Sequence, residues 1–246
     1  MSEPTAPGAA APADRRASAP APHRPWGLEQ SPVNVRTDRL VPAEPLDLRF
    51  DYRAEEVEFR YERYPTDRPP GLEYRPLEEN VAGTVAGERS RLRCQGREYV
   101  LTEIHWHTPS EHLVDGRSYW LEQHLKHHAA DGHGAALVVA VFWAAGPANP
   151  DLGRVVAALP RGRDGTAVTR LAGVRLDRLV PEATESYGYA GSLTTGAYTE
   201  GVRWVLLSTP MTAAPDTLAE FEELFPAGNA RRVQRLHGRR ITLSPH

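Results

Sequence analysis

Two histidines separated by one residue, His105 and His107, close a stretch over residues 97–107 in which apolar and polar side chains alternate. In an extended strand alternate side chains share a face, so Tyr99, Leu101, Glu103, His105 and His107 are expected on one side and Val100, Thr102, Ile104 and Trp106 on the other. With Cα atoms roughly 6–7 Å apart, the two imidazoles can converge on one tetrahedral ion. A second strand over about 118–128 places Trp120, Glu122, His124, Lys126 and His128 on one face. Antiparallel pairing across the Thr108–Arg117 connection then offers His124 or His128 as a third ligand. Three imidazoles leave the fourth position of a zinc ion open, the arrangement used for catalysis, in which bound water reaches a pKa of about 7. Such histidines need acceptors for their remaining ring N–H groups, and Glu103 and Glu122 each lie two residues from a histidine on the same face. A lone His-x-His pair reads more simply as a solvated polar face; the third histidine favours a metal site.

The elements that must position these residues are mostly β. Period-two patterns run through Leu46, Leu48, Phe50 and Tyr52 and through Val57, Phe59 and Tyr61, with further strands expected at about 90–95, 97–107, 118–128, 135–143 and 202–208. Turns are expected at Val114–Arg117 and Ala130–Gly132. Two short helices are expected, one near Leu152–Leu159 and one opening with Asp216 as N-cap and carrying Leu218, Phe221 and Leu224. Strands do not alternate with helices, which excludes a doubly wound parallel sheet. The 246 residues fit one large β domain over 25–246, preceded by an Ala/Pro-rich tail over 1–24 that reads as disordered. A formal charge of −3 gives no basic field for nucleic acid, and no apolar run is long enough to cross a bilayer. The tail lacks the apolar stretch of a signal peptide, so a cytoplasmic location is expected. Cys94 is the only cysteine, so any metal is held by histidine or carboxylate. Lys126 is the only lysine.

The segment from Glu103 through His105, His107, Glu111 and His112 to Gly116, followed by Glu122 to His127, closely resembles the signature of α-class carbonic anhydrases. Gln30–Val35, Gly191–Thr195 with Trp204, and Asn229, Arg231, Gln234 and Leu236 are similar to other motifs of that family and occur in family order. The resemblance spans about residues 26–243 and implies the family's fold, a large twisted mixed or antiparallel sheet with a few short peripheral helices. It implies Zn2+ bound by His105, His107 and His124 with water or hydroxide as fourth ligand. It implies that Thr194 accepts a hydrogen bond from that hydroxide while donating to Glu111, with Thr195 at the pocket mouth. It further implies that Glu122 orients His124, and that Val138, Leu193, Val202 and Trp204 wall the carbon dioxide site. The implied reaction is reversible hydration of carbon dioxide to bicarbonate and a proton. The implied partner is that small molecule, with neither nucleic acid nor membrane, and the sequence leaves the oligomeric state open.

Four departures from the family pattern carry expectations of their own. The stretch Glu79–Val85 lacks the family's proton-shuttle histidine, which predicts slow turnover that buffer accelerates. Glu103 stands where the family has glutamine, giving His105 a charged acceptor. Lys126 replaces a small apolar residue and is expected to ion-pair with a neighbour such as Glu103, to meet an anionic substrate, or to lead its ammonium into solvent. The segment after Thr194 and Thr195 reads Gly196-Ala197 in place of two prolines, loosening that loop. These departures keep two alternatives open: a related zinc enzyme turned to a bulkier or anionic substrate by Lewis-acid chemistry, and a non-catalytic module that retains zinc.

Overall fold

The computed structural model describes residues 27–65, 77–161 and 167–246. The tail expected over residues 1–24 lies outside them. Strands β1 (Asn34–Val35), β2 (Val41–Pro42), β3 (Arg49–Asp51), β4 (Ala54–Pro65), β5 (Leu77–Val85), β6 (Arg91–Cys94) and β7 (Arg97–His107) come first. They are followed by β8 (Leu113–Val114), β9 (Leu121–Ala129), β10 (Ala136–Ala145), helix α1 (Pro150–Ala158) and β11 (Val168–Arg175). The chain ends with β12 (Ser186–Ser192), β13 (Glu200–Ala213), helix α2 (Pro215–Leu224) and β14 (Thr242–Ser244).

One large mixed sheet, in the order β11-β4-β5-β7-β9-β10-β13-β12-β14-β2, dominates the fold. β10 pairs parallel with β13 and β14 with β2, while the other neighbours on this path are antiparallel. The central strands are buried on both faces, which is why β10 reads as a continuous apolar run. Its Leu137, Val139, Val141 and Trp143 enter one core, with Phe59, Trp106 and Phe221 of α2. Val138, Ala140 and Phe142 enter a second core on the opposite face, with Val33, Val35, Trp204 and Leu206. Alternation along a pleated strand therefore builds both cores at once.

Two expectations are corrected here. Asp216 does not cap α2: Ala214 holds the N-cap position, Pro215 begins the helix and Asp216 lies in its first turn. The fixed φ and missing N–H of proline suit that first position, and the acidic side chain still meets the positive helix end. In β7, Tyr99 and Leu101 do not share a face with His105. The register with β9 slips between Leu101 and Glu103, so Thr102 is an extra residue and its hydroxyl donates to the Lys126 carbonyl at 3.0 Å. The bulge inverts the alternation. Tyr99 and Leu101 accordingly join Ile104 and Trp106 in the apolar core, and Glu103, His105 and His107 turn to the other face.

Strands β5, β11, β12 and β14 were not legible as period-two patterns. β5 and β12 are poor in strand-forming residues because they must be thin. A Cβ at Gly83 would stand within 2.8 Å of Val57 and Phe59, and one at Gly191 would strike Ser31 and Trp204. Close packing selects glycine there against strand propensity.

On the core side of β9, His127 is buried, with Nε2 2.7 Å from the Tyr52 hydroxyl and Nδ1 3.2 Å from the Leu137 carbonyl. Burial holds its pKa down to about 4. An unfolded histidine takes up a proton near pH 6.5, so between about pH 6.5 and 4 the unfolded chain binds a proton that the folded chain refuses. This contribution, roughly 3 kcal/mol, is fully present above that window and is lost as pH falls through it. His127→Gln is expected to make the pH dependence of unfolding about one proton shallower across the window, as denaturant titrations at several pH values would read. An unchanged slope would contradict the assignment.

Candidate metal centre

The register of β7, β9, β10 and β13 aligns the site in two rows across the sheet. His105 lies opposite His124 and His124 opposite Ala140. Glu103 lies opposite Lys126, Lys126 opposite Val138, and Val138 opposite Trp204. His107 stands one strand repeat beyond His105. All three histidines are at most 6% exposed, and one ring nitrogen from each lies within 4.8 Å of the others. His105 Nε2 and His124 Nδ1 are 3.1 Å apart. His128 is exposed and opposite Val100, far down the strand from this cluster. Trp120 precedes β9 and is 51% exposed, so it lies outside the buried histidine row.

The outer ring nitrogens of His107 and His124 are hydrogen-bonded from outside, and that of His105 lies beside a carboxylate without an aligned hydrogen bond. His105 Nδ1 is 2.9 Å from Glu103 Oε1, His107 Nδ1 is 3.3 Å from the Asn229 carbonyl, and His124 Nε2 donates to Glu122 Oε1 at 2.7 Å. This fixes which nitrogen of each ring points inward. His107 Nε2 is buried with no hydrogen-bond partner, a costly state for a polar atom that a metal ion would relieve. Three inward imidazole nitrogens are the donor set of a zinc ion with one open position. The residues present therefore fit zinc. A second grouping, His112, Glu122 and His124, is a closed hydrogen-bond network instead, since Glu122 already contacts both rings at 2.7 Å.

Glu122 is fully buried and accepts three hydrogen bonds, from the His112 backbone N–H at 2.8 Å and from His112 Nδ1 and His124 Nε2. Burial would push its carboxyl up, but the adjacent His112 and His124 more than offset this and hold it well below the usual range. Burial conversely lowers His124 to about 4 despite the opposing pull of Glu122, which keeps its ring neutral and available as a ligand. Burial also works against ionisation of Glu103, yet His105 and Lys126 bring it down to about 2.

Glu111 lies across the cluster, with Oε1 accepting from the Arg231 N–H at 2.7 Å and Oε2 3.5 Å from His107 Nε2. Burial and the Glu122 carboxylate push its carboxyl up, while the Thr194 hydroxyl and Arg231 pull the other way. Thr194 is 5% exposed. With Leu193, Thr195, Val138 and Trp204 it lines a cavity of about 20 Å3 whose wall also includes His105, His124, Glu103 and Lys126. Val202, expected in the same wall, packs in the apolar cluster with Val138 and Trp204 and does not line this cavity.

Several supporting contacts join residues far apart in sequence, and two of these residues, Tyr189 and Glu78, carried no sequence signal. Tyr189 bridges His112 Nε2 at 2.6 Å and Ser31 Oγ at 2.8 Å, and Trp204 Nε1 donates to the Ser192 carbonyl at 2.9 Å. Glu78 on β5 accepts from the Gly196 N–H at 3.1 Å, tethering the loop that carries Thr194 and Thr195. Asn229 caps the end of β7 with its side chain, accepting from the Thr108 N–H and donating to the Trp106 carbonyl.

A family described as eukaryotic-type carbonic anhydrase matches residues 19–245. The chain is 31% identical over 217 residues to a carbonic anhydrase of Klebsiella pneumoniae, covering 87% of this chain and 79% of that protein. It is 29% identical over 215 residues to a carbonic anhydrase of Pectobacterium carotovorum, covering 87% and 80%. Its fold is similar to the solved α-carbonic anhydrase of Thermovibrio ammonificans, a complex with sulfanilamide. The TM-score is 0.74 at 27% identity, with 88% of this chain and 87% of that one covered.

Proposed function

The chain belongs to the eukaryotic-type, or α-class, carbonic anhydrase family, and on that premise we propose that it converts carbon dioxide and water reversibly to bicarbonate and a proton at a zinc ion held by His105, His107 and His124. The observation that carries this reading is the convergence of three inward ring nitrogens, with the outer nitrogens of His107 and His124 hydrogen-bonded and that of His105 2.9 Å from the Glu103 carboxylate. Zinc bound there acts as a Lewis acid that makes water nucleophilic near neutral pH.

The chain's own residues supply the rest. Thr194, buried at the cavity wall, would orient the nucleophilic water: its oxygen would accept a hydrogen bond from that water while its own hydroxyl donates to the Glu111 carboxylate, leaving a lone pair aimed at the substrate carbon. Glu111 keeps this direction because Arg231 fixes it from behind. Val138, Leu193 and Trp204 give the substrate an apolar seat that excludes competing water. Glu103 and Glu122 hold the ligand rings. The apolar side chains in the cavity wall suit a small apolar molecule such as carbon dioxide better than the bulkier or anionic substrates of the alternative reading. β5 carries no histidine between Glu79 and Val85, so the released proton is passed to buffer and limits turnover.

Carbon dioxide hydration that a chelator abolishes and added zinc restores is the expected behaviour. Hydration that persists in the metal-free protein would overturn the reading.

A further inference from the structure

Glu103 and Lys126 depart from the family pattern at two positions that the register places directly opposite each other on β7 and β9. Glu103 uses its two oxygens separately. Oε1 is 2.9 Å from His105 Nδ1, and Oε2 is 3.4 Å from Lys126 Nζ. The two side chains are 27% and 34% exposed, so solvent screens the pair only in part. Lys126 is further tied down because its backbone carbonyl accepts from Thr102, the bulged residue that turns Glu103 toward the metal side.

Each charge alone is poorly suited to this place. An unpaired ammonium here would stand against the positive charge of a bound zinc ion, and an unpaired carboxylate would be free to leave His105 for water. We propose that Glu103 and Lys126 act as one electroneutral positioning unit, in which the carboxylate fixes the His105 ring for the metal while Lys126 fixes the carboxylate and offsets its charge. The proposal rests on the zinc reading above. It makes the two departures a single coupled change, and it assigns Lys126 a role carried through Glu103 and His105 without contact with the metal.

The test is a double-mutant cycle read as zinc dissociation constants, by competition with a chelator at fixed pH, on proteins whose metal-free melting temperatures are also recorded. Glu103→Gln keeps an acceptor for His105 but strands the ammonium beside the ion, and is expected to weaken zinc binding about 10–100-fold. Lys126→Met keeps the stem and removes the charge, which frees the carboxylate to turn to water, and is expected to weaken zinc binding about 3–10-fold. The double variant is expected to return to within about threefold of the parent, a rescue that a merely structural role would not produce. A double variant as weak as Glu103→Gln would overturn the coupling. So would a Lys126→Met variant that binds zinc as tightly as the parent, which decides the matter even if the double variant does not fold. A parent protein that binds no zinc would instead overturn the functional reading itself.

Discussion

Thr194→Ala is expected to lower kcat/KM for carbon dioxide hydration by about 10²–10³-fold while leaving zinc content and fold intact, the usual cost of removing one preorganised hydrogen-bonding group from a water-excluded site. The residue is buried at the cavity wall, where it meets His105, His124 and the apolar seat formed by Val138 and Trp204. Its methyl and backbone contribute packing that alanine largely retains, so the loss falls on orientation of the attacking water. Thr194→Ser restores the hydroxyl and should recover most of the rate. The ratio kcat/KM is the informative quantity, because on the proposed mechanism kcat reports proton export. Stopped-flow hydration of both variants checks this, and a Thr194→Ala variant within threefold of the parent would remove Thr194 from the mechanism.

Glu122→Ala is expected to cost about 3–5 kcal/mol of stability in the metal-free protein, because a buried ionic network loses its centre. The fully buried carboxylate serves the His112 N–H and the rings of His112 and His124 and has no exposed surface. The shortened side chain leaves three donors unsatisfied. His124 also loses the contact that sets its tautomer, so zinc affinity should fall by about 10–100-fold in addition. Glu122→Gln retains one oxygen but turns an amide N–H2 toward donors, and should recover only part of either loss. Denaturant unfolding and chelator competition measure the two effects separately. A stable Glu122→Ala protein with parental zinc affinity would show that the network is incidental.

The strands that carry the ligands were legible because their chemistry is local. Alternation over 97–107 matched the ends of β7, and the His105–His107 spacing identified one face. The bulge at Thr102 was not legible, since a two-residue period carries no mark of where an extra residue enters, and only the register with β9 reveals it. The same limit applies to partners distant in sequence. Asn229 orients His107 from 122 residues away, and Tyr189 completes the His112 network from 77 residues away. The resemblance to a family named the Asn229–Leu236 segment without saying what it touches. β12 escaped notice for a physical reason as well: its glycines exist to let Ser31 and Trp204 approach, and such residues lower the apparent strand signal of the segment they serve.

Carbon dioxide hydration measured by stopped flow on zinc-quantified protein across a series of buffer concentrations tests the central claim most directly. The account predicts rates well above the uncatalysed reaction that rise with buffer, because the catalytic site is complete and proton export is the slow step. One zinc per chain with no hydration at any buffer concentration would contradict it, and would mean that this metal site serves another substrate.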